Sequence, residues 1–244
     1  MTALTAEPVA TADKMIGASY RKNRGQRLAE VYRAAKDAVI AQGFAWEIEW
    51  QANRRLDDID ESEFLRESAW TILSAGFRES VVRRIFPPLS QAFLEWRSAK
   101  LIHEQRQVCK LAAMRVFGNE KKITAILDIA AMVTESGYRN IWNRIEKDGV
   151  SFLQTLPYIG PVTAFHLAKN LGLPVVKPDR HLQRIAKAAG FMSPFQLCEV
   201  IADQVGDPIQ VVDIVLWRYA TLFSNYVATF TSLSNLCCPD GGPR

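Results

Sequence analysis

One segment, residues 152–190, constrains the fold of this chain more than any other part of its sequence. Its apolar residues recur at helical spacing, and joints rich in glycine and proline interrupt them. A tight turn is expected at the first joint, because Gly160 can adopt a positive φ or let another backbone come close, and Pro161 suits the first position of a helix. The helix that follows would end at Gly172. The segment therefore predicts two helices joined by a hairpin at about residues 151–172.

A third helix follows the hairpin, and an aspartate stands at its start. Its apolar residues repeat at i, i+3, i+4 and i+7, as in an amphipathic helix: Leu182, Ile185, Ala186 and Ala189. Asp179 precedes this helix and would cap its N-terminus, where the helix dipole favours an ionised carboxylate. Asp179 is therefore a structural cap on one interpretation and a functional anion on the other.

Most of the remaining sequence also shows helical periodicity, with no strand pair, internal repeat or low-complexity tract. The segment 44–50 is ambiguous between a short strand and a further helical turn. The sequence predicts an all-α fold in which residues 1–18 are a mobile tail and the first helix covers 20–42. Residues 19–236 would form a single helical domain, and residues 237–244 a frayed tail.

The composition restricts the class of protein. Of the 244 residues 48% are hydrophobic and 23% are charged, as in an ordinary globular protein, and no apolar run approaches the roughly 20 residues of a membrane span. The N-terminus lacks the basic start and apolar core of a secretory signal, so the expected compartment is the cytoplasm and no membrane partner is expected. The net charge of +4 is compatible with a nucleic-acid partner without requiring one.

The cysteines and histidines do not show the spacing of a metal site. Cys109 and Cys198 stand alone in the sequence, whereas Cys237 and Cys238 are adjacent. The three histidines are not spaced as metal ligands either. The sequence therefore predicts no metal and no other cofactor.

Residues 156–164, Leu-Pro-Tyr-Ile-Gly-Pro-Val-Thr-Ala, resemble the hairpin of the helix-hairpin-helix (HhH-GPD) DNA glycosylase superfamily. Asp179, seventeen residues after Val162, falls where that family has its catalytic aspartate. A weaker similarity at 68–77 resembles the family's helix that ends in a DNA-facing loop. The resemblance covers roughly residues 64–190. It implies a two-lobed, glycosylase-like all-α fold, double-stranded DNA as the partner and Asp179 as the catalytic residue.

Departures from the family pattern refine this expectation. Tyr158 stands where the family usually has a second glycine. Val162 stands where bifunctional members carry a lysine that forms a Schiff base with the sugar. Because valine cannot be a nucleophile, the resemblance implies a monofunctional enzyme, with Lys169 and Lys177 as remote substitutes. The four-cysteine iron–sulfur spacing of some members is absent, so no cluster is expected.

The hairpin and the loop near Gly76 carry the expected DNA contacts. A turn followed by a helix N-terminus presents unpaired N–H groups to phosphate, and the amides of Gly160 and Val162 are the best donors. Family members often place a glutamine near Gly76 to fill the gap left by a flipped base. In this chain Phe77 or Arg78 would fill it, with simple packing as the alternative.

Further residues are weaker candidates for the same interface. Tyr158 would restrict the hairpin turn or lie along the DNA backbone. Lys177 would touch a phosphate, and His181 would face a phosphate or the base pocket. A solvated loop position is the alternative for Lys177 and His181. Aromatic and acidic residues that would wall the pocket of a flipped base are Trp46, Glu47, Trp70 and Asp213. For the aromatic segment that contains Trp46, core packing is the alternative.

The predicted function is a monofunctional DNA glycosylase that flips a damaged or modified base and hydrolyses the N-glycosidic bond, leaving an abasic site. Asp179 would stabilise the oxocarbenium-like sugar and orient or deprotonate water. Two alternatives stay open: a related enzyme acting on hypermodified bases such as those of phage DNA, and a non-catalytic DNA-binding protein. A monomer is expected, and both repair and defence against modified DNA remain open as roles.

Overall fold

The computed structural model describes the backbone of residues 9–231 and the side chains of residues 24–231. All regular structure in the described range is helical, without a strand, and this confirms the predicted all-α class there. The chain divides into two compact units. Unit 1 combines Met1–Ala52 with Pro178–Arg244, and unit 2 is the continuous segment Asn53–Lys177.

The α-helices follow one another with short connections. In chain order they are α1 (Val9–Val39), α2 (Ala45–Ala52), α3 (Glu61–Ser74), α4 (Glu79–Ala92), α5 (Ala99–Glu104), α6 (Arg106–Val116), α7 (Glu120–Ser136), α8 (Tyr138–Leu153), α9 (Pro161–Asn170), α10 (Arg180–Ala188), α11 (Pro194–Val205), α12 (Ile209–Leu222) and α13 (Tyr226–Thr231). A π-helical turn joins α1 to α2, so the ambiguous segment 44–50 is helical. Within the described range, none of these helices combines the length and the apolarity needed to cross a membrane.

The first helix begins earlier than the sequence predicted. It starts at Val9, whereas the periodicity placed its start at Tyr20, after a tail over residues 1–18. The segment after Val9 is rich in alanine, with lysine and methionine, which favour a helix. It lacks the apolar repeat on which the prediction depended. The remainder of that tail, 1–8, and the predicted frayed tail, 237–244, lie outside the described residues.

Unit 1 is organised around α12, which contacts α1, α2, α10, α11 and α13. The reason is its composition, because α12 is apolar on most of its faces and can pack against neighbours on several sides. Side chains that are essentially inaccessible in this unit include Leu28, Tyr32, Val39, Leu182, Ile185, Ile201, Val212, Val215 and Leu216. At one end, the hydroxyl of Tyr32 donates to Asp207 Oδ2 at 2.6 Å and ties α1 to the segment before α12.

Unit 2 has a continuous apolar core centred on α3 and α7, which pack against each other. Around them α7 contacts α5, α6 and α8, and α3 contacts α4 and α9. The buried side chains include Phe64, Ile72, Leu73, Leu89, Phe93, Ile102, Ile126, Leu127, Leu153 and Leu167. This packing places the end of α3 and the start of α9, the two predicted DNA-facing segments, in the same unit.

A buried polar network fixes α9 against α3. The carboxylate of Glu67, 3% exposed, accepts hydrogen bonds from Asn170 Nδ2 at 2.7 Å and from Arg66 Nη2 at 2.8 Å. Burial raises the pKa of Glu67.

Helix α9 ends before Gly172, as predicted. Gly172 has φ +90 and leaves no room for a side chain, because an added Cβ would lie 2.7 Å from the backbone nitrogen of Leu56.

Candidate functional site

The predicted hairpin consists of the end of α8, a turn over residues 154–160 and the start of α9. The helical dihedral angles of α8 break at Gly149 (φ 50, ψ −127), so its last residues form a separate helical turn. Gly160 is the N-cap of α9, and Pro161 is the first helical residue. The sequence prediction of the hairpin therefore holds at the level of the backbone.

The positive φ in the turn belongs to Tyr158 (φ 65) and not to Gly160 (φ −94, ψ −177). The expectation for Gly160 was therefore wrong in this respect. No backbone atom approaches Gly160 closely either, because an added Cβ would meet only Thr163 Oγ1, at 3.8 Å. Position 158 is the one at which the family that this hairpin resembles usually has glycine. A residue with a side chain in the left-handed conformation costs roughly 1–2 kcal/mol.

The amide donors at the start of α9 differ from those predicted. The N–H of Gly160 donates to Thr163 Oγ1 at 2.7 Å, so it is already engaged. This contact resembles the return half of a capping box, in which the third residue of a helix bonds back to the N-cap. Among the described residues, the amides of Val162 and Thr163 have no acceptor. The unpaired donors at this helix N-terminus are therefore Val162 and Thr163.

A buried lysine that is not among the predicted site residues lies against the end of α3. Lys122, near the start of α7, is 1% exposed. Its ammonium donates to the carbonyl oxygens of the last residues of α3 and of the following loop: Ile72, Leu73 at 3.1 Å and Ala75 at 2.6 Å. Burial lowers the pKa of Lys122 to about 8. Lys122 thus remains mainly a cation at neutral pH, at a helix C-terminus that favours a cation.

The same ammonium lies against two aromatic rings. Lys122 Nζ is 4.9 Å from the ring centroid of Phe77 and 5.3 Å from that of Tyr158. Both rings stay exposed, at 41% and 44% respectively. Phe77 also packs edge-on against Phe117, with centroids 5.2 Å apart. The structure therefore brings two predicted DNA-contact residues, Phe77 and Tyr158, to one cation, and the exposed Arg78 follows directly at the start of α4.

Asp179 belongs to unit 1 and caps α10, as its local sequence predicted. Its Oδ1 accepts the backbone N–H groups of His181 at 2.8 Å and Leu182 at 3.1 Å. Its other oxygen, Oδ2, accepts no hydrogen bond from a described residue. His181 Nδ1 lies 3.2 Å from the hydroxyl of Tyr226, so this ring is held by α13. The carboxylate is thus fixed through one oxygen and open at the other.

The predicted remote lysines lie in unit 2 and differ in exposure. Lys169 is only 3% exposed, on α9. Lys177 is half-buried, at the last position of the unit. Burial, together with the charges of Lys177 and Lys169, holds the pKa of His166 well below its ordinary value. His166 is therefore neutral at physiological pH.

Glu47 and Asp213, two predicted pocket residues, are buried in unit 1. Glu47 forms an ion pair with Arg218, in which Arg218 Nε donates to Glu47 Oε2 at 2.7 Å and Nη2 donates to Oε1. The Arg218 guanidinium lies over the rings of Phe44 at 4.2 Å and Trp217 at 4.7 Å. This pairing gives Glu47 a structural role within unit 1.

The two predicted pocket tryptophans differ in their surroundings. Trp46, in unit 1, is 48% exposed. Trp70, in unit 2, packs edge-on against Phe86 with centroids 5.1 Å apart, and the Arg83 guanidinium lies 5.6 Å from its ring. Trp70 therefore belongs to the packing between α3 and α4, whereas Trp46 is about half exposed.

Two open clefts of about 270 Å³ each lie in unit 2, and neither is lined by a predicted site residue. Among the described residues, no three metal-ligating side chains form a cluster. Comparison with models of protein families, with curated proteins and with solved structures finds no significant match for this chain. The resemblance to DNA glycosylases therefore rests on the sequence itself.

Proposed function

We propose that this protein is a monofunctional DNA glycosylase, which extrudes a damaged or modified base from duplex DNA and hydrolyses its bond to the sugar. The observation that supports the proposal most is the surface of unit 2 made by the hairpin turn and the loop after α3. There the unpaired amides of Val162 and Thr163 lie in the unit that also presents the exposed rings of Tyr158 and Phe77.

The chemistry of that surface suits a DNA backbone and an unstacked base. Unpaired N–H groups at a helix N-terminus bind phosphate without reading sequence. Exposed aromatic rings stack on bases of any identity, and a stacking contact offsets part of the cost of extruding a nucleotide. Phe77, which follows the end of α3, is the side chain that would enter the gap left by the flipped base.

Asp179 would carry out the chemical step. The amides of His181 and Leu182 donate to Oδ1 and fix the orientation of the carboxylate. The open Oδ2 would stabilise the positive charge that develops on the sugar and take a proton from the attacking water. The water oxygen bonds to C1′ of the sugar while the C1′–N bond breaks. The electron pair of the broken C1′–N bond leaves with the base.

A non-catalytic DNA-binding protein is the second candidate, because capping α10 is by itself a sufficient reason for an aspartate at position 179. The deciding experiment incubates the protein with ordinary duplexes, with duplexes carrying damaged bases and with phage-type hypermodified DNA. Mass spectrometry then identifies any free base. We expect release from at least one modified substrate. Binding to duplex DNA without release from any substrate would favour the second candidate.

The hairpin is tested by replacing Gly160 with leucine. The φ of −94 suits any residue, and an added Cβ would meet only Thr163 Oγ1, at 3.8 Å, so we expect the fold to be kept. If phosphate approaches the amides of Val162 and Thr163, we expect the substitution to cost one charge-assisted hydrogen bond to phosphate. Loss of one such bond raises the Kd roughly tenfold, and it should do so for every duplex.

Fluorescence anisotropy at several salt concentrations measures this effect, and the midpoint of thermal unfolding is the control. Binding through phosphates should weaken as salt rises. An affinity loss confined to one DNA sequence would show that the turn reads bases, contrary to the proposal.

The residue at position 162 predicts the reaction product. Without a nucleophilic amine there, we expect an intact strand with an abasic site, which breaks only after alkali or a separate lyase acts. Borohydride should trap no protein–DNA adduct. An adduct that disappears in Lys177→Ala or Lys169→Ala would contradict the monofunctional assignment and identify a displaced lysine.

A further inference from the structure

We infer that Lys122 is a positioning residue that holds the hairpin turn and the loop after α3 in one arrangement, and that DNA binding depends on this arrangement. The structural part of the inference rests on contacts within unit 2. The DNA part rests on the proposed function.

Lys122 anchors the loop after α3 through its hydrogen bonds. A buried ammonium is costly unless its N–H groups have acceptors, and Lys122 meets this requirement with three carbonyl oxygens. The last of these belongs to Ala75, beyond the final helical residue of α3. Lys122 therefore fixes the start of the loop that presents Phe77.

Lys122 links the loop to the hairpin turn through the rings of Phe77 and Tyr158. The rings of Phe77 and Tyr158 both lie within the roughly 6 Å over which a cation attracts an aromatic face, and burial strengthens this attraction. Tyr158 holds a left-handed backbone conformation that is unfavourable for a residue with a side chain. The ring contact with Lys122 offsets that cost, so the lysine stabilises the turn as well as the loop.

A simpler role for Lys122 is that of a cap for α3 alone. In that case the hairpin would not respond to removal of the ammonium. The two roles therefore differ in what happens to residues 156–163, which no hydrogen bond of Lys122 reaches.

Hydrogen exchange followed by mass spectrometry on the full chain separates the two roles. In Lys122→Met we expect the hydrogen-bonded amides of both segments, Phe77 in 75–78 and Leu156, Ile159 and Gly160 in 156–163, to exchange about tenfold faster. That factor is the loss expected from two cation–π contacts. Lys121→Met is the matched control, because Lys121 is the exposed neighbour on the same helix and should leave both segments unchanged. Faster exchange at 75–78 alone would overturn the inference.

A second variant tests the inference even if Lys122→Met unfolds globally. Tyr158→Gly suits the left-handed position, so it keeps the turn while it removes the ring that contacts Lys122. We expect it to accelerate exchange at 75–78 by several-fold, through the lysine that the two segments share. Unchanged exchange at 75–78 in this variant would also overturn the inference.

The DNA part is measured with a duplex that carries a tetrahydrofuran abasic analogue. We expect the Kd of Lys122→Met to rise about tenfold, and that of Lys121→Met to rise less than threefold, since the latter removes only an exposed charge. Equal losses in both variants would contradict the positioning role. If the wild-type protein bound no duplex, the proposed function would fail, and the exchange experiment would still decide whether Lys122 couples the two segments.

Discussion

Replacing Asp179 with asparagine is expected to abolish most base release while leaving the fold and DNA binding intact. Asparagine is nearly isosteric, and its side-chain oxygen can still accept the amides of His181 and Leu182. It carries no negative charge and cannot take a proton from water. Removal of a positioned acid–base group alone lowers a rate by roughly 10²–10⁴-fold, and the lost charge stabilisation at the sugar adds to this.

Single-turnover release of the base, with the Kd measured in parallel, is the appropriate measurement. Ser193→Ala is a suitable control, because Ser193 caps the next helix, α11, by accepting the amide of Gln196, and its loss tests the effect of a weakened cap. Base release by Asp179→Asn at a rate near that of the wild type would exclude the catalytic assignment. The carboxylate would then be a helix cap only.

Replacing Arg218 with methionine is expected to destabilise the protein by about 3–5 kcal/mol, because removal of one partner leaves the other charge buried and unpaired. Glu47 is 6% exposed and Arg218 also 6%, so water cannot replace the lost hydrogen bonds. The variant also loses the contacts of the Arg218 guanidinium with the rings of Phe44 and Trp217. The free energy of unfolding, from urea titration followed by circular dichroism, measures the loss.

Arg83→Met provides the matched control for this prediction. Arg83 pairs with Glu79 on the exposed face of α4, one turn away. An exposed pair of this kind contributes about 0.3–0.5 kcal/mol, and the contact of Arg83 with the Trp70 ring adds about 0.5–1 kcal/mol, so the expected loss stays well below that of Arg218→Met. The double variant Glu47→Leu with Arg218→Met should recover much of the stability lost in the single variant, since it leaves no unpaired charge. A loss below about 1 kcal/mol for Arg218→Met would mean that water reaches the pair.

The sequence alone determined the features that depend on neighbours within a few residues. Helical periodicity predicted an all-α chain, and the described residues confirm it. Pro161 and Gly172 marked the start and the end of α9, and Asp179 was predicted to cap α10. Each of these depends on contacts that span at most one or two helical turns, so the residue types and their spacing contain the necessary information.

The details of the hairpin turn needed the local geometry. The sequence assigned the special conformation to Gly160 because glycine tolerates it best, but Tyr158 holds the positive φ. The sequence also counted the Gly160 amide as a free donor, although the Thr163 hydroxyl accepts it. The type of a residue limits the backbone conformations that it can adopt. The surrounding chain decides which of those conformations it does adopt.

Only the tertiary structure decided the roles of Lys122 and Glu47. Adjacent lysines at 121 and 122 look alike in the sequence, but the packing of α7 against α3 exposes the first and buries the second beneath three carbonyl oxygens. Glu47 finds its partner 171 residues away, at Arg218. Whether a charged side chain meets water or a distant partner depends on which helices pack together, and no periodicity or spacing along the chain records that choice.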